Sequence, residues 1–284
     1  MLLIWLCQTW WLKRFPACDI HADRVDLCAM VKVKMFSSVG KDREPALDMP
    51  QLDAESFYAV VESRRSTRIY AEDPVSEEAI DRCVSAAQKA PNSSNLQCWE
   101  LYRVTEPDKK KKLVKACLSQ PAAATAPELF VFVARPDLWK RNNAWTLEEF
   151  DRRGNMPERA YQYFGKITRI AYTQGVFAWV KRIWFPLRGL QQATPREPIG
   201  WADMRVWAHK STALSAAHFM LAMRAEGYDT CPMEGMDSSR VKALLGLPRR
   251  AEVCMVVSAG KRTAKGVYGE RFRFEKDTFY KVVK

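Results

Sequence analysis

The chain has 284 residues, 48% of them hydrophobic, enough apolar material for one large core or two small ones, which excludes overall disorder. Forty-five lysines and arginines face 33 acids, a net charge of +12 that admits phosphates, nucleic acid and anionic lipid as partners without selecting among them. The eight cysteines, Cys7, Cys18, Cys28, Cys83, Cys98, Cys117, Cys231 and Cys254, contain no C-x-x-C pair and are too dilute for a disulfide scaffold. No zinc site is expected, and a reducing cytoplasm fits. The 12 glycines form no G-x-G-x-x-G, no phosphate loop and no G-x-S-x-G elbow, and three histidines offer little for a triad.

Residues 1–50 read as an atypical amino-terminal extension. Met1 to Leu12 is apolar but shorter than the roughly 20 residues that span a bilayer. Lys13 and Arg14 follow the apolar run, the reverse of a secretory signal. Two readings stand: an upstream start with native translation from Met30 or Met35, and a membrane-surface anchor.

Residues 51–284 read as one compact domain. Phe57, Val60 and Val61 mark a short helix ending near Ser63, and Ser76 caps a second, with Glu77 and Glu78 in its first turn, that closes at Pro91. Trp99 to Thr105 alternates like a strand, Glu106 to Cys117 reads as a basic helix, and Leu129 to Ala134 is a continuous apolar run suited to a buried strand. Val206 to Glu226 is a long helix stopped by Gly227. Asp237 caps a short helix ending at Gly246, and Glu252 to Ala259 is a last core strand.

Between residues 138 and 200 lies a basic, Trp-rich helical insert, with 11 basic residues against five acidic ones and four of the ten tryptophans. Ile167, Ile170, Phe177, Val180 and Trp184 follow helical spacing, Lys166, Arg169, Lys181 and Arg182 flank them, and Pro186 ends the pattern. Such a helix caps the core with its apolar face, covers a ligand, or lies on a membrane interface.

Four short clusters carry chemistry. Arg64, Arg65, Ser66 and Arg68 put several guanidinium forks in one loop, suited to phosphate or to carbonyl-rich rings; the bland reading is a solvated basic loop. Pro91, Asn92, Ser93, Asn95 and Gln97 form a polar turn whose amides both donate and accept, as a mixed heterocycle edge requires; the alternative is an Asx-type turn. Pro232, Met233, Glu234 and Gly235 follow the long helix, where a glycine permits close backbone approach to a flat ligand. Arg271 and Arg273 sit at alternate positions, placed to meet one phosphate or to form the exposed face of a terminal strand.

Taken in order, Arg-Arg-Ser-x-Arg, Pro-x-Ser-x-Asn-x-Gln-x-Trp, Pro-Met-Glu-Gly and Arg-x-Arg resemble the motif set of the FMN-dependent nitroreductase family, over about Asp53 to Val283. The resemblance implies an α+β fold: a three-layer sandwich with a central, mainly antiparallel sheet flanked by helices, in a homodimer with the long helix at the interface. It implies FMN in two clefts between chains. Arg64, Arg65, Ser66 and Arg68 would meet the phosphate, ribityl and pyrimidine parts, and Pro91, Asn92 and Ser93 would come from the partner subunit, with Asn95 and Gln97 near the rings. Pro232 to Gly235 would lie against the flavin, and Arg271 and Arg273 would hold the phosphate. Cys98 stands where many relatives carry proline, and Asn92 where many carry serine. The implied activity is NADPH- or NADH-dependent reduction of nitroaromatic, quinone or similar electron-poor acceptors, in ping-pong order at flavin N5, with no catalytic side chain and no metal. Another flavin reaction such as reductive dehalogenation is the nearest rival, and a membrane-surface or nucleic-acid binder is a further one. No nucleic-acid partner is expected, and membrane contact through the insert stays open.

Overall fold

The computed structural model describes residues 50–284. The expectations for the amino-terminal extension, a late start or a surface anchor, lie outside the described residues.

Helix α1 (Ala54–Ser63) opens at Asp53, whose carboxylate accepts from the Glu55 N–H at 3.1 Å. Helix α2 (Glu77–Gln88) opens at Ser76, whose hydroxyl accepts from the Ala79 N–H at 3.3 Å. Strand β1 (Trp99–Arg103) leads into α3 (Pro107–Ala116), where the Glu106 carboxylate accepts from the Asp108 and Lys109 N–H groups. A short α4 (Pro121–Thr125) precedes β2 (Glu128–Ala134). The insert then holds α5 (Trp139–Arg153), α6 (Glu158–Gln162), a π turn over Tyr163–Ile167, α7 (Thr168–Tyr172) and α8 (Val176–Gly189). The long α9 (Trp201–Ala225), β3 (Asp229–Met233), α10 (Ser238–Leu245), β4 (Glu252–Gly260) and α11 (Lys276–Phe279) complete the chain.

Among the described residues four strands run in the order β1-β2-β4-β3, and each of these neighbours pairs antiparallel. Because side chains alternate along a strand, β2 sends Leu129, Val131 and Val133 to one face and Phe130 and Phe132 to the other. The first set packs with Leu113 and Ala116 of α3, Ala122 and Ala123 of α4 and Val241 of α10. The second packs with Ile80, Cys83 and Ala87 of α2 and Ala216, Phe219 and Met223 of α9. Helices on both faces of a mainly antiparallel sheet are the expected three-layer α+β sandwich. A bulge sets Phe132 opposite Met255 but Val133 opposite Val253, and skipping Cys254 keeps Val253 and Val256 on one face.

Two local expectations are corrected, and one strand went unread. Strand β3 escaped the pattern because Asp229–Met233 is buried at four of its five positions and contains Pro232, and a proline is tolerated there because β3 is a sheet edge. The long helix starts at Trp201, five residues before Val206, because the Asp203 carboxylate accepts from the Ile199 and Gly200 N–H groups at 2.9 Å each. The insert's apolar run is not one helix: the chain breaks between α7 and α8 at Gly175, φ 84°, and α8 then continues through Pro186 to Gly189.

Part of the insert caps the core. Trp139, Phe164 and Tyr172 pack with Leu96, Cys98, Ala134, Met204 and Trp207. Lys181 does not flank this cluster as a solvated charge. Its side chain is buried and its ammonium donates to the Ala171 and Pro198 carbonyls at 2.8 and 3.1 Å. Burial pushes its pKa down from 10.5 to about 8, with Asp203 opposing. Between pH 8 and 10.5 the unfolded chain therefore binds more protons at this site than the folded one, and this group makes stability rise with pH. Thermal melts should show the wild type gaining on Lys181→Met across that window; a constant difference would show that Lys181 titrates normally.

Candidate functional site

At the end of α1 the backbone turns extended at Arg64, φ −65° and ψ 123°, and the next residues run alongside β3. Ser66 bridges Thr230, the Thr67 N–H donates to the Thr230 carbonyl at 3.1 Å, and the Arg68 N–H donates to the Gly266 carbonyl at 2.6 Å. A Cβ at Gly266 would stand 2.5 Å from the Ile69 carbonyl oxygen, so the glycine lets the carboxyl-terminal loop close on this segment.

Between the two walls lies a cavity of about 150 Å3 lined by Arg64, Arg65, Ser66 and Arg68 on one side and by Tyr268, Arg271 and Arg273 among others on the other. Arg271 clamps the walls together, donating to the Glu62 and Arg64 carbonyls at 2.6 Å each and to the Glu62 carboxylate at 3.0 Å. Arg65 donates to the Gly269 carbonyl at 2.9 Å. The Arg68 guanidinium lies 5.5 Å from the Tyr268 ring centroid and donates to the Ser66 carbonyl at 3.0 Å.

Five guanidinium groups thus converge. Among the described residues only Arg271 of the five holds a carboxylate within ion-pair distance, that of Glu62. Burial, followed by the like charges of Arg271 and Arg273, holds Arg64 below the ordinary guanidinium range. A cluster of guanidinium groups lining one cavity and short of counter-charge matches the terminal phosphate of a nucleotide-like cofactor.

The third cluster is tied to this segment by the Ser66–Thr230 bridge to β3, but none of Pro232, Met233, Glu234 and Gly235 lines the cavity. Met233 is buried and Pro232 pairs opposite Val257, while Glu234 and Gly235 emerge exposed from the strand end. The Gly235 carbonyl accepts from the Gln120 side chain at 2.7 Å. A Cβ at Gly235 would meet Gln120 at an ordinary 3.6 Å, so nothing within one chain demands the glycine. Cys231, buried beside Ser66, is an ordinary protonated thiol, its pKa pushed up by burial. Arg271 and Arg273 lie in an irregular segment rather than on a terminal strand. Tyr268 escaped the sequence reading because nothing in its spacing marks it; only the folded loop sets it over Arg68.

The second cluster stands apart. None of Pro91, Asn92, Ser93, Asn95 and Gln97 lines the cavity. Their loop carries three non-glycine residues in the left-handed region, Ser94 at φ 55° and Asn95 and Gln97 at 48°, a conformation that costs of order 1–3 kcal/mol per residue. It is held from several sides. The Asn92 side-chain oxygen accepts from the Gln97 N–H at 2.8 Å, and Asn142 of α5 donates to the Leu96 carbonyl at 2.8 Å. The Ser94 hydroxyl bonds to the phenols of Tyr163 and Tyr172 at 2.8 and 2.7 Å, so the insert helps fix the loop.

The sequence profile of the nitroreductase family matches residues 61–261, which is most of the chain and includes the first three clusters. The chain belongs to the nitroreductase family. An NADH dehydrogenase of Thermus thermophilus is 29% identical over 228 residues, which are 80% of this chain and 96% of that one. A nitroreductase-like protein from Streptococcus mutans superposes with a TM-score of 0.63 at 21% identity, covering 81% of this chain and 99% of the other. A protein from Exiguobacterium sibiricum, solved in complex with FMN, superposes at 0.57 and 21% identity, covering 84% and 99%. These likenesses show the nitroreductase fold. Among the described residues no helix is long and apolar enough to cross a membrane.

Proposed function

We propose that the protein is a homodimeric FMN-dependent oxidoreductase that draws electrons from NADPH or NADH and passes them to nitroaromatic, quinone or similar electron-poor acceptors. The convergence of Arg64, Arg65, Ser66, Arg68, Arg271 and Arg273 on one cavity carries this reading, because motifs about 200 residues apart meet where one phosphate fits. Family membership and the FMN complex of the Exiguobacterium protein support the same cofactor.

FMN, when bound, supplies the centre that accepts and donates hydride. The chain supplies binding and electrostatics. Arg271 and Arg273 would hold the phosphate together with the Arg64 to Arg68 loop, whose Arg64, Arg65, Ser66 and Arg68 would also reach the ribityl and pyrimidine parts, where positive charge favours an electron-rich reduced ring. Pro232, Met233, Glu234 and Gly235 would lie against the flavin ring, where donor and acceptor would bind in turn, the ping-pong order. No side chain acts as nucleophile or general base.

A second copy completes the site. The loop with Pro91, Asn92, Ser93, Asn95 and Gln97 does not line its own chain's cavity, which fits a loop that serves the partner's. Helix α1 buries none of its residues within the chain and exposes Phe57 and Tyr58, and α9 exposes Val206 and Leu214. These are apolar surfaces for a partner to cover.

The test is visible absorbance of the purified protein without oxygen. A yellow protein that bleaches with NADPH or NADH is the expected result, and a panel of nitroaromatic, quinone and haloaromatic acceptors then separates nitroreduction from dehalogenation. A colourless protein that takes up no FMN and consumes no reduced nicotinamide overturns the proposal.

A further inference from the structure

We propose that α8 docks the protein on anionic lipid bilayers, lying in the interface plane. Trp179, Ile183, Leu187 and Leu190 follow one another at i, i+4, i+8 and i+11, so they share one stripe of the helix, within about 100° of arc. They are 67%, 63%, 56% and 83% exposed, an unusual density of large apolar side chains in water. The opposite side of the same helix is already used, with Lys181 and Phe185 buried against the protein. The outward stripe is therefore surplus to what anchors α8 to its own chain.

Charge says what covers it. Between Glu158 and Glu197 the sequence contains seven basic residues and no acidic one. With Lys181 buried, the remaining six include Lys166, Arg169, Arg182 and Arg196, all exposed. The Arg182 guanidinium lies 5.8 Å from the Trp179 ring centroid, placing a cation beside the most bulky member of the stripe. Large apolar side chains with a tryptophan, an arginine beside it and a flanking sequence that is basic from residue 159 to 196 match the boundary between acyl chains and anionic headgroups. A second copy is a poorer occupant, because it would bring more of a chain of net charge +12 against an acid-free segment. Nucleic acid would satisfy the arginines but leave the apolar stripe in water. A helix of 14 residues is too short to span a bilayer, so it lies on the surface.

The full-length protein would be floated with vesicles of phosphatidylcholine alone and of phosphatidylcholine mixed with phosphatidylglycerol. The expected result is capture by the anionic vesicles, weakened by salt, and reduced at least about tenfold in Ile183→Asp/Leu187→Asp, since both substitutions put a charge where apolar surface would be buried. Arg182→Glu, which leaves the apolar stripe intact, should weaken capture by anionic vesicles as well. Both variants should keep the wild-type elution volume and thermal midpoint. Equal capture by neutral vesicles, or capture that neither variant reduces, would overturn the proposal and move lipid contact to another part of the chain. A shift of the double variant to a smaller oligomer would assign the stripe to a second copy instead.

Discussion

Arg64→Glu is expected to lose most of its FMN on dialysis that leaves the wild type loaded, with the FMN Kd raised by about two to three orders of magnitude. Hydrogen bonds to charged groups are worth about 1.5–3 kcal/mol, and reversing the charge adds repulsion of the phosphate to the lost attraction. What sets this site apart from a structural arginine is the expected effect on the cofactor-free protein. Arg64 is crowded by Arg271, Arg273 and Arg65, so removing its charge relieves repulsion. The apo form of Arg64→Ala should melt no lower than the wild-type apo form while binding FMN more weakly. Arg68→Glu should also weaken retention, though it gives up its stacking on Tyr268 as well. Unchanged FMN content in both charge-reversal variants would remove the phosphate assignment; a large drop in the apo melting temperature of Arg64→Ala would make Arg64 a fold residue.

Phe219→Ala is expected to cost about 3–5 kcal/mol of folding stability, the range for truncating a fully buried aromatic. Phe219 on α9 is wholly buried and meets Phe130 and Phe132 of β2 edge to face, at centroid distances of 4.7 and 5.5 Å. It is the point where the longest described helix locks onto a central strand, among Ala216, Met223 and Val257, which are themselves fully buried. Urea unfolding should show a lower midpoint with an unchanged slope. Phe219→Leu, which keeps most of the volume, should lose less than half as much. A loss under 1 kcal/mol for the alanine variant would mean that the α9 layer contributes little to the native state.

Both predictions rest on features of unequal visibility in the chain. The Leu129 to Ala134 run announces a buried strand because no polar residue interrupts it, and β2 is that strand. Ser76 and Asp237 announce helix starts because capping is a local bond between a side chain and an N–H two or three residues on, and both caps form. Strand β3 was invisible because it is short, lies at a sheet edge and tolerates a proline. The single helix expected across the middle of the insert was wrong because one glycine at positive φ redirects the chain without disturbing the spacing of apolar residues on either side.

The site divides in the same way. The guanidinium clusters were legible as residue types, since a loop such as Arg64 to Arg68 concentrates forked donors that few structural roles require. That Arg271 reaches back to the carbonyls of Glu62 and Arg64, and that Tyr268 receives Arg68, required the fold, because those contacts join residues about 200 positions apart. Lys181 shows the limit from the other side: by sequence it is a solvated charge on a basic helix, and only packing reveals a buried amine held by two carbonyls.

By itself, then, the sequence determined three of the four described strands, the helices with clear caps, the buried run of the central strand, and the ordered motifs that mark a nitroreductase. Tertiary structure alone decided which arginines share a cavity, that the Asn92 to Gln97 loop stands away from it, and that α8 turns Trp179 and Ile183 outward while burying Lys181. The physical reason is range: capping and side-chain periodicity act over a few residues and leave their mark in the chain, whereas the meeting of distant charges and the choice of which helix face is covered depend on how whole layers pack.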